Sequence, residues 1–111
     1  MKEFSIPLYG FRFFMSNDLA EVTEYLKAHG GDLDSVKKSY GTTPCWDDAS
    51  GERHRLMAVF DGKAGTIAHE AVHMAWETLS QAGINVDGDN NEAQAYLVDW
   101  LLTTFLAQFP S

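Results

Sequence analysis

The sequence predicts an α+β fold: a small, mostly antiparallel sheet from the first half of the chain, one helix covering it, and two antiparallel helices in the second half. Three observations carry this. Runs rich in β-favouring residues, Phe11–Met15 and Leu56–Phe60, fall before residue 61. Between them Leu19, Val22, Leu26 and His29 recur at helical spacing. From residue 64 onward two stretches, about 64–81 and 91–108, hold that spacing throughout. Strands in one half and long helices in the other separate this class from an alternating α/β chain.

With 111 residues the chain is sized for one domain, residues 1–111, around a single core. An apolar share of 45% is that of a globular protein. No apolar run approaches the roughly 20 residues that cross a bilayer. Met1-Lys2-Glu3-Phe4 lacks the apolar core of a secretory signal, so the expected location is cytoplasmic. One cysteine excludes an internal disulfide. A formal net charge of -8 argues against nucleic acid or an anionic membrane surface as partner, because both need clustered Lys and Arg.

Taken in order, Phe11, Phe13 and Met15 alternate with Arg12 and Phe14, the period of a strand with one buried face. Pro7 and Gly10 make the preceding segment an edge or a bulge. Ser16-Asn17-Asp18, with Glu21 three residues after Asp18, caps a helix expected over about 18–29, which Gly30-Gly31 ends. Residues 31–52 hold a turn at Asp32–Ser35, a short strand within Val36–Trp46 and a loop tip at Asp47–Gly51. Arg53–Asp61 reads as a strand, apolar on both faces at Leu56–Phe60 and hairpin-paired near Cys45 and Trp46. In the 64–81 helix Ile67, Ala68, Ala71, Val72, Ala75, Trp76 and Leu79 form a wide apolar stripe, with Gly83 as the stop. In the 91–108 helix the core side is Ala93, Leu97, Trp100, Leu101 and Phe105. The polar turn between them returns the second helix antiparallel to the first.

The stretch that bears chemistry is Thr66-Ile67-Ala68-His69-Glu70-Ala71-Val72-His73. On a helix His69 and His73 project from one face a turn apart and can share a metal ion, the H-E-x-x-H arrangement of zinc hydrolases. Glu70 lies about 100° round from His69, outside the ligand shell yet near the open position where water binds. A catalytic zinc takes three protein ligands, so a third is needed. No histidine follows His73. Asn91-Glu92 opens the next helix, and an antiparallel return could turn Glu92 towards the pair; the alternative role for Glu92 is an acidic residue favoured at a helix N-terminus.

In H-E-x-x-H followed, after a loop, by Asn91-Glu92 on the next helix, the chain resembles the gluzincin metallopeptidases, over roughly residues 53–106. The helix opening at Glu92 is also similar to that of ImmA/IrrE-type peptidases, and the size to small phage and prophage zincins. The resemblance implies a zincin-like fold and a zinc metallopeptidase, with Zn²⁺ held by His69, His73 and Glu92 and Glu70 as general base. It also implies a peptide or protein substrate lying along the strand before the helix, Arg53–Asp61, as a sheet edge. Tyr96, one turn after Glu92, takes the place of an Asp found in thermolysin-like members; it is a candidate catalytic residue that could offer its O–H to an oxyanion.

Other residues read more plainly. Glu77 lies about 12 Å of helix rise from His69 and is expected as a solvated charge. Cys45 lacks the glycine- and glutamine-containing motifs that accompany it in deformylases, and is expected as a buried or partly buried free thiol. His54 is expected as an exposed loop-end residue and His29 as a helix C-terminal one. The alternative function is a catalytically silent binding or inhibitory protein that keeps the zincin scaffold; Glu70 favours the enzyme, because a purely structural metal has no use for a general base.

Overall fold

A computed structural model describes residues 1–37, 39–89 and 91–110. The elements are β1 (Lys2–Ser5), β2 (Arg12–Ser16), α1 (Leu19–Ala28), a 3-10 turn (Leu33–Val36), β3 (Gly41–Thr42), β4 (Cys45–Asp47), β5 (Arg53–Val59), α2 (Ala64–Gln81) and α3 (Asn91–Gln108). This is a small α+β fold with a mixed five-stranded sheet. The two long helices fall where periodicity predicts them. Asp18 caps α1 by accepting from the backbone N–H of Ala20 and Glu21, and Gly30 ends it at a φ of +72°.

Strand order is β1-β2-β5-β3, with β4 also on β5. Three pairings are antiparallel, and β2 runs parallel to β5, with Phe14 opposite Leu56 and Ser16 opposite Ala58. The expected hairpin near Cys45 is present: Cys45 faces Arg55 and Asp47 faces Arg53.

One expectation is overturned. The Arg53–Asp61 strand is not an edge. β5 is hydrogen-bonded on both sides, by β2 along one and by β3 and β4 along the other. The sequence carries the reason: Leu56-Met57-Ala58-Val59 is apolar on both faces, which suits a strand covered above and below. Leu56 and Ala58 pack with Val22 and Leu26 of α1, while Met57 and Val59 join Ile67, Ala71, Met74, Leu97, Leu101 and Phe105 on the other face. The sheet is therefore sandwiched between α1 and the α2–α3 pair.

The free edge beside α2 is instead the broken strand β3–β4. Pro44 has no N–H to donate, so pairing lapses between the two pieces, and the Pro44 carbonyl accepts from Leu56 N–H. Helices α2 and α3 are antiparallel, since Ile67 near the start of α2 shares a cleft with Phe105 in the last turn of α3 and with Phe109 just after it. Among the described residues no helix is long and apolar enough to cross a membrane.

Candidate metal centre

α2 begins after a turn built by Asp61. Its carboxylate accepts from the Lys63 backbone N–H at 3.0 Å and from Thr66 Oγ1 at 2.8 Å, which serves the helix start although Lys63, in the capping position, has no side-chain acceptor. Those bonds hold the Asp61 carboxyl below its ordinary value, the backbone bond to Lys63 contributing most. Two turns of α2 follow, carrying the H-E-x-x-H residues.

The two imidazoles stand on the outer face of α2. Their Nε2 atoms are 3.1 Å apart, and His69 is 68% exposed. Two nitrogens bound to one tetrahedral zinc at about 2.0–2.1 Å lie roughly 3.3–3.4 Å apart, so the pair fits a shared ion with little movement. Val72 and Trp76 lie on that same outer face, Trp76 at 59% exposure. Their expected place in the buried stripe is thus corrected. Ile67, Ala71, Ala75 and Leu79 are buried as expected, and Glu70 and Met74 join them in place of Val72 and Trp76, because α2 turns that side towards the sheet.

Glu70 is the buried member of the motif. Thr43, in the break between β3 and β4, donates its Oγ1–H to Glu70 Oε1 at 2.7 Å and lies 3.3 Å from the Glu70 carbonyl oxygen. The other carboxylate oxygen, Oε2, is 3.9 Å from His69 Nε2. Close approach of β3 to α2 depends on Gly41: a Cβ there would lie 2.9 Å from Glu70 Cγ and from Thr66 Cγ2. Tyr40, Gly41, Gly65, Thr66, His69 and Glu70 surround a cleft of about 340 Å³. The hydroxyl of Ser39 bonds both the N–H and the carbonyl of Gly41, which blunts the edge at that point. Comparison with protein-family models, with curated proteins and with solved structures gives no match.

Glu92 and Tyr96 are both exposed, in the first and second turns of α3. Antiparallel packing sets that end of α3 beside the last turns of α2, beyond His73. Among the described residues, one group of three ligand-type side chains has donor atoms within 4.8 Å of one another; it is His29, Asp48 and His54, not His69, His73 and Glu92. Glu77 is not a solvated charge: it pairs with Arg53 across the α2–β5 contact and raises the pKa of that guanidinium.

His54 also departs from expectation. It is 3% exposed, with Nδ1 2.7 Å from the Tyr25 hydroxyl and Nε2 2.8 Å from Asp48 Oδ2. Its parity along β5 with Leu56 and Ala58, which face α1, is the signal that places it inside. Cys45 is a free, partly buried thiol as expected, and burial pushes its pKa up to about 12. Neither Thr43 nor Gly41 has a motif to mark it; their roles exist only where β3 meets α2.

Proposed function

We propose that the chain is a zinc-dependent peptidase, and the observation that carries this reading is the His69–Glu70–His73 geometry. Two imidazole nitrogens 3.1 Å apart face outward, and beside them a buried carboxylate is held by Thr43. His69 and His73 would hold the ion, with Glu92 the proposed third ligand. Zinc there would supply a Lewis acid that acidifies water and polarises a scissile carbonyl.

The chain's own residues do the rest. Glu70 accepts the proton of the attacking water and returns it to the leaving amine. Thr43 fixes which Glu70 oxygen is occupied, leaving Oε2 on the His69 side. A substrate in extended form would lie against the β3 edge, where its backbone replaces the Ser39 hydroxyl at Gly41. Tyr96 is a proposed donor to the oxyanion.

The second reading is a silent binding or inhibitory protein. It draws on the exposed Val72 and Trp76 beside the His pair, since exposed aromatic residues are favoured at interfaces. Glu70→Gln separates the two. It keeps size and helix propensity but cannot take the proton, so peptide cleavage should fall by about 10²–10⁴-fold with bound zinc unchanged. Equal cleavage or equal cellular activity in wild type and Glu70→Gln would defeat the peptidase.

A further inference from the structure

On the opposite face of the sheet, three ligand-type side chains from separate elements converge. His29 is the C-cap of α1, Asp48 lies in the β4–β5 turn and His54 is the second residue of β5. One donor atom from each lies within 4.8 Å of the other two. We infer that His29, Asp48 and His54 form a second divalent-cation site, of the zinc type, independent of His69 and His73.

The donor set and its surroundings both fit. Two imidazoles and a carboxylate are ligands that zinc accepts, and a tetrahedral ion needs donor atoms roughly 3.3–3.5 Å apart, so closure requires shifts of about 1 Å. Asp48 is ready as an anion. Its Oδ1 accepts from the backbone N–H of Ser50 at 2.8 Å and of Glu52 at 3.1 Å, and from Ser50 Oγ at 2.5 Å; the Oδ2 that meets His54 is on the other side. These bonds, the Ser50 hydroxyl first and His54 next, hold its carboxyl well below the usual range.

His54 has a tautomer for each state. Without a cation the Asp48 carboxylate can only accept, so a neutral His54 donates Nε2–H to it and Nδ1 is left to accept from the Tyr25 hydroxyl. With a cation on Nε2 the proton moves to Nδ1 and donates to the Tyr25 oxygen, the outer hydrogen bond that orients a metal-bound imidazole. Tyr25 thus serves both states. Its ring also packs, tilted by 42°, against His29 at 4.3 Å between centroids, which holds the second imidazole beside the site. A cleft of about 320 Å³ lined by His29, Gly30, Asp48 and Ser50 opens onto two of the ligands. Three protein ligands and an open side are the composition of a site with a free fourth position for water or a small anion.

The test removes the other histidine pair first. Metal-free protein carrying His69→Ala and His73→Ala is dialysed against Zn²⁺ and analysed for bound metal. One retained equivalent is expected. It should be lost when His29→Gln or Asp48→Asn is added, with the circular dichroism spectrum unchanged. Absence of bound zinc in the folded His69→Ala/His73→Ala protein would overturn the inference, as would full binding after both His29→Gln and Asp48→Asn. Neither result depends on peptidase activity.

Discussion

Removing the Thr43 hydroxyl isolates the contact on which the placement of Glu70 rests. Thr43→Val keeps the β-branched shape in the break between β3 and β4 but deletes the donor that meets Glu70 Oε1 at 2.7 Å. Glu70 is 6% exposed, so water cannot readily take over. A hydrogen bond to a charged group contributes about 1.5–3 kcal/mol, against about 0.5–1.5 kcal/mol for a neutral one. With an unfolding entropy near 2.1 cal/mol/K per residue over 111 residues, the charged-group loss lowers Tm by roughly 6–13 °C. In a Glu70→Gln background the acceptor is neutral, and the same substitution should cost about 1 kcal/mol less. The assay is urea and thermal unfolding of the four proteins of this double-mutant cycle. A Thr43→Val cost below about 0.5 kcal/mol, or one equal in the two backgrounds, would refute the claim that Thr43 holds a buried, charged Glu70.

Two further outcomes follow from groups away from the motif. Because burial pushes the Cys45 pKa up to about 12, the native thiol at pH 8 should react with iodoacetamide about 10³-fold more slowly than the unfolded chain; equal rates would show that Cys45 is not shielded. The Asp48 and Asp61 carboxyls are both held below their ordinary value of 3.8, so their stabilisation is present above that pH and lost as pH falls through the lowered folded values. Asp48→Asn combined with Asp61→Asn should therefore flatten the acid side of a Tm-against-pH curve between about pH 4 and 2, and curves that stay parallel would contradict this.

Periodicity and capping are local properties, and what depends on them is legible in the sequence. The Asp18 cap, the stop at Gly30, the alternating Phe13 and Met15, and the extents of α2 and α3 all follow from neighbours within a few positions. The pairing of His69 with His73 is legible for the same reason, since one helical turn separates them.

Tertiary structure decided what depends on contacts between distant segments. A strand apolar on both faces must be covered above and below, but that pattern does not name its lateral neighbours, and β2 and β3 closed both edges of β5. The outward turn of Val72 and Trp76 and the burial of Glu70 were settled by the side of α2 that met the sheet, as the apolar stripe was wide enough to admit more than one rotation. His29, Asp48 and His54 come from three elements, and no spacing along the chain could have brought them within reach of one cation. The same physics governs Glu92: helix propensity sets where α3 begins, whereas its distance from His69 and His73 is set by how α3 packs along α2, through Leu97, Leu101 and Phe105.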